Sequence, residues 1–167
     1  NIFSLYEPNS EGSRLNRDGH LKEPSLDLVR LLSEAWAISK TTAGAFDVTV
    51  QPLFEAYARQ GGTAPSPMDL AGARRLVDQR GVMIASDRIS FQRLGMAITL
   101  NGIAQGYITD RVADLLRTRG WSDVLLNLGE VRALPGRTWS VGLTGGGPDQ
   151  SLADAALATS AGAGSPF

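Results

Sequence analysis

Residues 96–110, MAITLNGIAQGYITD, constrain this chain more than any other stretch, because an apolar run stops at Asn101-Gly102 and passes into a helical pattern with no loop between. Residues 96–100 are short and mostly apolar, as a buried strand requires. From Ala104 onward Ile108, Val112, Leu115 and Leu116 recur at helical spacing, and Gly120 ends the pattern. A helix N-terminus carries unpaired N–H groups and a partial positive charge, so a glycine just before it lets a phosphate or a metal approach the main chain. The junction is either such a docking point or an ordinary tight strand-to-helix turn.

Charge and composition narrow the partner classes. The 16 Lys and Arg nearly balance the 17 Asp and Glu, so the chain lacks the basic field that non-specific nucleic-acid binding needs, and no nucleic acid is expected. It has no cysteine and one histidine, His20, which excludes disulfides, thiolate metal sites and histidine-rich sites; any metal is held by oxygen. No apolar run approaches the roughly 18–20 residues of a membrane helix. No signal peptide heads the chain, but it begins with Asn, so the lack of a targeting segment decides nothing. Its 167 residues suit one domain with a sizeable core, or a large piece of a longer one.

Along the chain, residues 1–6 read as the end of a strand or helix and residues 7–10 as a turn-rich break. Ser25 is a candidate N-cap for a helix whose apolar face is Leu28, Leu31, Leu32, Ala35 and Ile38, ending near Ser39. Gly44 punctuates a loop, and Pro52 restricts the structure open to the residues after it. A short helix is expected over residues 69–80, closed by Gly81, then strands at 82–85, 88–91 and 96–100. After a helix over 105–119, strands are expected at 124–128 and 138–143. Helices and strands alternate without a regular βαβ repeat, which favours an α+β fold over a doubly wound sheet.

Four segments carry a resemblance: FSLYEPNSEGSRLN, TTAGAFDVTVQPL, LNGIAQGYITDRVADLL followed by LLNLGE, and ALATSAG. In this order and spacing they resemble the FAD:protein FMN transferases, the ApbE-type flavin transferases, over nearly the whole chain. LNGIAQGYITD with NLGE looks most like the branch that accompanies nitrous oxide reductase maturation. The resemblance implies an α+β fold with a mixed, mainly antiparallel sheet and packed helices. It implies FAD as donor, Mg²⁺ as cofactor, and transfer of FMN onto a Thr or Ser of an acceptor flavoprotein with release of AMP. The implied acceptor belongs to a membrane or exported redox system, and the implied location is periplasmic, or membrane-anchored and facing the periplasm.

The same resemblance places Tyr6, Ala45, Phe46, Asp47, Thr99 and Gln105 at the flavin nucleotide and makes the main-chain carbonyl of Gly102 a metal ligand. Other roles stay open for several of them. Tyr6 either stacks on the flavin or packs in the core, Phe46 lines the pocket or the core, and Asp47 accepts from a ribose hydroxyl or caps the next turn. Thr99 stands where many relatives have Asp and Gln105 where others have Lys or Glu, so neither supplies a charge. Glu130 follows Gly129 where a second glycine is common; it either alters access to the pocket or is a solvated side chain. Thr159-Ser160 matches the start of a segment bordering the flavin.

Two elements of the family, an H-x-I-x-D-P-x-x-G stretch and an A-D-A-L-S-T stretch with metal ligands, have no counterpart here. The expectation is that residues 1–167 are the central part of a single flavin transferase domain, incomplete at both ends, and bind metal weakly or not at all. No general base is identified. Two other readings stay open: an FAD carrier without transferase activity, and an FAD pyrophosphatase in which water replaces the acceptor hydroxyl.

Overall fold

The computed structural model describes residues 2–61, 64–143 and 147–159. The chain divides at Ile103–Ala104 into two units, each with its own elements.

The first unit opens irregularly, without the expected strand or helix end. The hydroxyl of Ser4 accepts from the main-chain N–H groups of Tyr6 and Glu7, both at 3.1 Å, and so bends the chain locally. The break at residues 7–10 then starts a helix. Ser10 is the N-cap of α1 (Glu11–Asp18), accepting from Ser13 N at 3.0 Å, and Gly19 at φ 70° ends it. Only Gly12 and Leu15 of α1 are buried, which is too sparse a stripe to read from sequence.

Ser25 caps α2 (Leu26–Thr41) as expected, and Leu28, Leu31, Leu32 and Ala35 are fully buried. Ile38 falls outside that face and is exposed. The two helix starts are tied together by Glu11, whose Oε2 accepts from both the N–H and the hydroxyl of Ser25 at 2.9 Å. Pro52 does not block helix formation; it lies in the first turn of α3 (Gln51–Arg59), where a missing N–H costs nothing. Ser66 caps α4 (Pro67–Arg74), on which α3 packs. The helix expected over 69–80 stops at Arg74, because Asp78 caps a separate 3₁₀ turn, Gln79–Gly81.

Three short strands form an antiparallel sheet in the order β1-β3-β2, from β1 (His20–Lys22), β2 (Val82–Ile84) and β3 (Arg88–Phe91). The register pairs Leu21 and Ile84 with Ile89, which is fully buried. Residues 96–100 are all buried, as a strand would be, yet pair with none. Side chains and a loop replace the ladder. Ile98 N donates to Asn16 Oδ1 at 2.7 Å, Ile98 O accepts from Asn16 Nδ2 at 2.8 Å, and Thr99 N donates to Val48 O at 2.7 Å. A turn over 101–103, with Ile103 N on Leu100 O, separates this segment from the next helix. The junction is therefore not a strand running directly into a helix.

The second unit holds α5 (Ala104–Thr118) against β4 (Leu125–Asn127) and β5 (Val131–Ala133), with β8 (Ala156–Leu157) completing an antiparallel sheet in the order β4-β5-β8. A hairpin of β6 (Trp139–Val141) and β7 (Gln150–Leu152) lies between β5 and β8 in sequence. The expected apolar stripe of α5 is rotated: Tyr107, Thr109 and Ala113 are buried, while Ile108 and Leu115 are exposed. Thr109 can be buried because its hydroxyl donates to Gln105 O at 2.9 Å, one turn back. All strand pairs among the described residues are antiparallel, so the α+β class holds.

Candidate functional site

The GAFD loop is built as the C-terminal cap of α2. Ala43 and Gly44 take left-handed conformations, φ 51° and 84°, and Gly44 N donates to Ser39 O at 2.8 Å. The hydroxyl of Thr42 then accepts from Phe46 N at 3.2 Å, which fixes where the Phe46 ring and the Asp47 carboxylate emerge. Ala45 is exposed on this loop.

Asp47 is a cap. Its Oδ1 accepts from Thr49 N at 2.8 Å and Thr49 Oγ1 at 2.6 Å, holding the 3₁₀ turn Val48–Val50, while Oδ2 accepts from Gln79 N at 3.0 Å. Thr49 Oγ1 in turn accepts from Asp78 N at 2.8 Å. A carboxylate has about four acceptor positions, so one is left for a ligand hydroxyl.

Val48, inside that turn, receives the N–H of Thr99, so the GAFD loop and the buried 96–100 segment are locked together. Thr99 itself is buried, and its hydroxyl oxygen accepts weakly from Asn101 N at 3.4 Å. The Phe46 ring lies 3.5 Å from where a side chain on Gly102 would begin, so this turn and the GAFD loop are in contact. The first unit thus brings Phe46, Asp47, Thr99 and Gly102 into one neighbourhood. Tyr6 is 92% exposed, so the core reading of this side chain is overturned; the Ser4-led bend turns it to solvent.

Gln105 lies in the first turn of α5, and its surroundings belong to the second unit. Its Nε2 donates to Leu128 O at 2.8 Å and passes directly over Gly129, where a Cβ would come 1.6 Å from the same nitrogen. Gly129 also has φ 97°, reserved for glycine. Gly129→Ala is expected to destabilise the protein by about 3 kcal/mol, from backbone strain of roughly 1–3 kcal/mol and loss of the Gln105 bond worth about 1. In a Gln105→Ala background only the second part should be recovered. Thermal unfolding of the four forms checks this, and full recovery would show that the backbone is not strained.

Glu130 is half-buried and not fully solvated: one carboxylate oxygen, Oε2, is buried without a hydrogen-bond partner. The turn carrying it, with Leu128 N on Glu130 O at 3.1 Å, leads directly into β5 and draws the side chain inward. Thr159 is exposed and irregular, and Ser160 lies outside the described residues.

Beside the GAFD loop, Asp78 has a clearly shifted titration. Hydrogen bonds from the Arg80 side chain, above all, hold its carboxyl below the ordinary carboxylate range; Arg80 N and the charges of Arg80 and Arg93 add to this. A depressed folded value contributes stability above the unfolded value of about 4, and that share is lost as pH falls through the lower folded value. Arg80→Gln should accordingly narrow the stability difference between pH 7 and pH 3 in urea titrations; an unchanged difference would show the pair to be inert.

The chain matches the ApbE family over residues 1–165. It belongs to that family.

Among curated ApbE-type relatives, the FAD:protein FMN transferase of Haemophilus influenzae is 27% identical over 157 residues, covering 84% of this chain and 45% of that protein. The enzyme of that name from Klebsiella pneumoniae is 32% identical over 124 residues, covering 71% and 39%. Among solved structures, a mutant form of the flavin transferase ApbE from Vibrio cholerae superposes with a TM-score of 0.80 at 26% identity, over 95% of this chain and 59% of that one. The ApbE protein of Thermotoga maritima gives 0.82 at 25% identity, over 95% and 57%. The chain therefore spans under half the length of the curated relatives it matches.

The ApbE resemblance implied a metal on the Gly102 carbonyl. Among the described residues no three His, Cys, Asp or Glu side chains gather to hold an ion. One main-chain carbonyl falls far short of the roughly six oxygens that Mg²⁺ takes, so the donor set described here does not fit the ion. Sequence reasoning missed two features of this ApbE chain: the clamp of Asn16 on Ile98 and the Asp47–Thr49–Asp78 chain. Both join residues far apart in sequence, where no local motif signals them.

Proposed function

We propose that this chain is part of a flavin transferase that moves FMN from FAD to a hydroxyl side chain of an acceptor flavoprotein. The observation that carries this reading is family membership over nearly the whole chain, with relatives named FAD:protein FMN transferase at 27–32% identity. The acceptor Thr or Ser oxygen attacks the FMN phosphorus of FAD, the bond to the AMP phosphate oxygen breaks, AMP leaves, and the hydroxyl proton passes to solvent. Such a transfer needs placement and charge stabilisation more than covalent help from the protein. The contribution of this chain is placement: Asp47 and Val48 anchor the Phe46 loop and the Thr99–Gly102 turn as one rigid piece.

The proposal extends to Mg²⁺ dependence, to an acceptor in a membrane or exported redox system such as that of nitrous oxide reductase maturation, and to a periplasm-facing location. The test is incubation of the protein with FAD, Mg²⁺ and an acceptor domain bearing a flavinylation threonine, followed by denaturing electrophoresis under ultraviolet light. A covalently fluorescent acceptor and stoichiometric AMP are expected. Free FMN without acceptor would instead make it a pyrophosphatase, and FAD recovered intact would make it a carrier.

A further inference from the structure

The chain has five asparagines, and Asn101 alone is followed by glycine. That pair is chemically labile. The main-chain nitrogen after an asparagine can attack the side-chain amide carbon and close a succinimide ring, and glycine favours the attack because it has no Cβ to shield the nitrogen or restrict the backbone. Hydrogen bonds to either reacting group oppose the step.

Asn101 and Gly102 are both exposed, in the turn over 101–103. The Asn101 side-chain amide has no hydrogen-bond partner among the described residues, and the N–H of Gly102 donates to none of them. Both reacting groups are therefore free. The turn is held by Ile103 N on Leu100 O at 3.0 Å and by Asn101 N on Thr99 Oγ1 at 3.4 Å, of which only the first is a bond of ordinary length. The other described asparagines are engaged or followed by engaged nitrogens. Asn16 uses both amide atoms on Ile98. Asn127 Oδ1 accepts from Gly129 N at 3.2 Å, and the nitrogen after it, Leu128 N, donates to Glu130 O at 3.1 Å. Asn9 is followed by Ser10, whose N–H donates to Glu7 O at 3.0 Å.

We propose that Asn101 is a site of spontaneous deamidation. Gly102 N attacks Asn101 Cγ, the bond from Cγ to the amide nitrogen breaks, and ammonia leaves with the main-chain proton. Water then opens the succinimide to aspartate or isoaspartate, and no other reactant is needed. Either product puts a carboxylate on the turn that meets the Phe46 ring, and takes the chain one charge below its formal −1. Isoaspartate also adds a methylene to the main chain and so displaces Gly102. The modification is thus a one-way change of charge and backbone geometry within the candidate site.

The test is incubation of the full chain in mildly alkaline buffer, followed by isoelectric focusing and peptide mass mapping. An acidic form should accumulate with its mass change confined to the peptide that contains Asn101, and enzymatic methylation of isoaspartyl carboxylates should label that peptide. Asn101→Gln should give no such form, because the longer side chain does not close the same ring. Gly102→Ala should form it at least about tenfold more slowly. The fold should accept this alanine, since Gly102 is outside the left-handed region and its Cβ would sit in ordinary contact with Phe46 at 3.5 Å. Three results would each overturn the proposal: an Asn101 peptide that stays intact while the urea-denatured chain converts, an acidic form that maps to another asparagine, or an unchanged rate in Gly102→Ala. None of these readouts involves FAD or an acceptor, so failure here leaves the flavin-transfer reading untouched.

Discussion

Asn16→Leu is expected to lower stability by about 3 kcal/mol, although leucine matches asparagine in size and α1 favours it. The Asn16 amide satisfies both main-chain groups of Ile98, at 2.7 and 2.8 Å, and Ile98 is fully buried. Leucine leaves a buried N–H and a buried C=O unpaired at once, each costing roughly 1–3 kcal/mol, against a gain of at most about 1 from added apolar surface and helix propensity. The desolvation term therefore wins. Urea denaturation should show a lower midpoint at an unchanged slope. A loss under about 1 kcal/mol would mean that water enters and replaces the amide. Asn16→Asp separates the two bonds: it keeps the acceptor for Ile98 N, loses the donor to Ile98 O, and should fall between wild type and Asn16→Leu.

This clamp also explains why residues 96–100 look like a strand in sequence yet form none. Five consecutive buried residues satisfy the pattern of a buried strand, and period-two or continuous apolar runs report burial, not the identity of the hydrogen-bond partner. The partner here is a side chain 82 positions away, on a helix that itself has one large buried residue, Leu15. By contrast α2 is readable because four of the five residues on its expected face are buried and Ser25 marks its start. Cap chemistry is only partly legible even where it acts within three residues: Ser25 is read as a cap and Asp47 as a cap in one of two roles, whereas Ser10, Ser66 and Asp78 cap just as locally and go unread. The rest of the Asp47 role is non-local, since Oδ2 reaches Gln79 at a separation of 32 residues. The contact of Gln105 with Leu128 and Gly129 is equally hidden, although the glycine marks the position as unusual. The cleft of about 710 Å³ beside the C-terminal half of α2 has no sequence signature, because its lining comes from two separate segments, around residues 36–47 and 77–80.

The second large effect is expected at Asp47. Asp47→Ala removes the acceptor for Thr49 N, Thr49 Oγ1 and Gln79 N, and Thr49 is fully buried while Gln79 nearly is. Losing a charged acceptor shared by three donors should cost about 3 kcal/mol, whereas Asp47→Asn, which keeps an oxygen for Thr49 but can present an N–H to Gln79 N, should cost about half of that. The Thr49 hydroxyl donates to Asp47 while accepting from Asp78 N, so the three groups form one chain that polarises along its length. Thr49→Val breaks the chain in the middle and should cost about 1.5 kcal/mol. Because the Thr49–Asp47 bond is removed in both single variants, the double variant Asp47→Ala/Thr49→Val should cost about 1 kcal/mol less than the sum of the two. Strict additivity in urea denaturation would show that the carboxylate and the hydroxyl act separately. In that case the GAFD loop and the Asp78 turn are held independently, and movement of one need not displace the other.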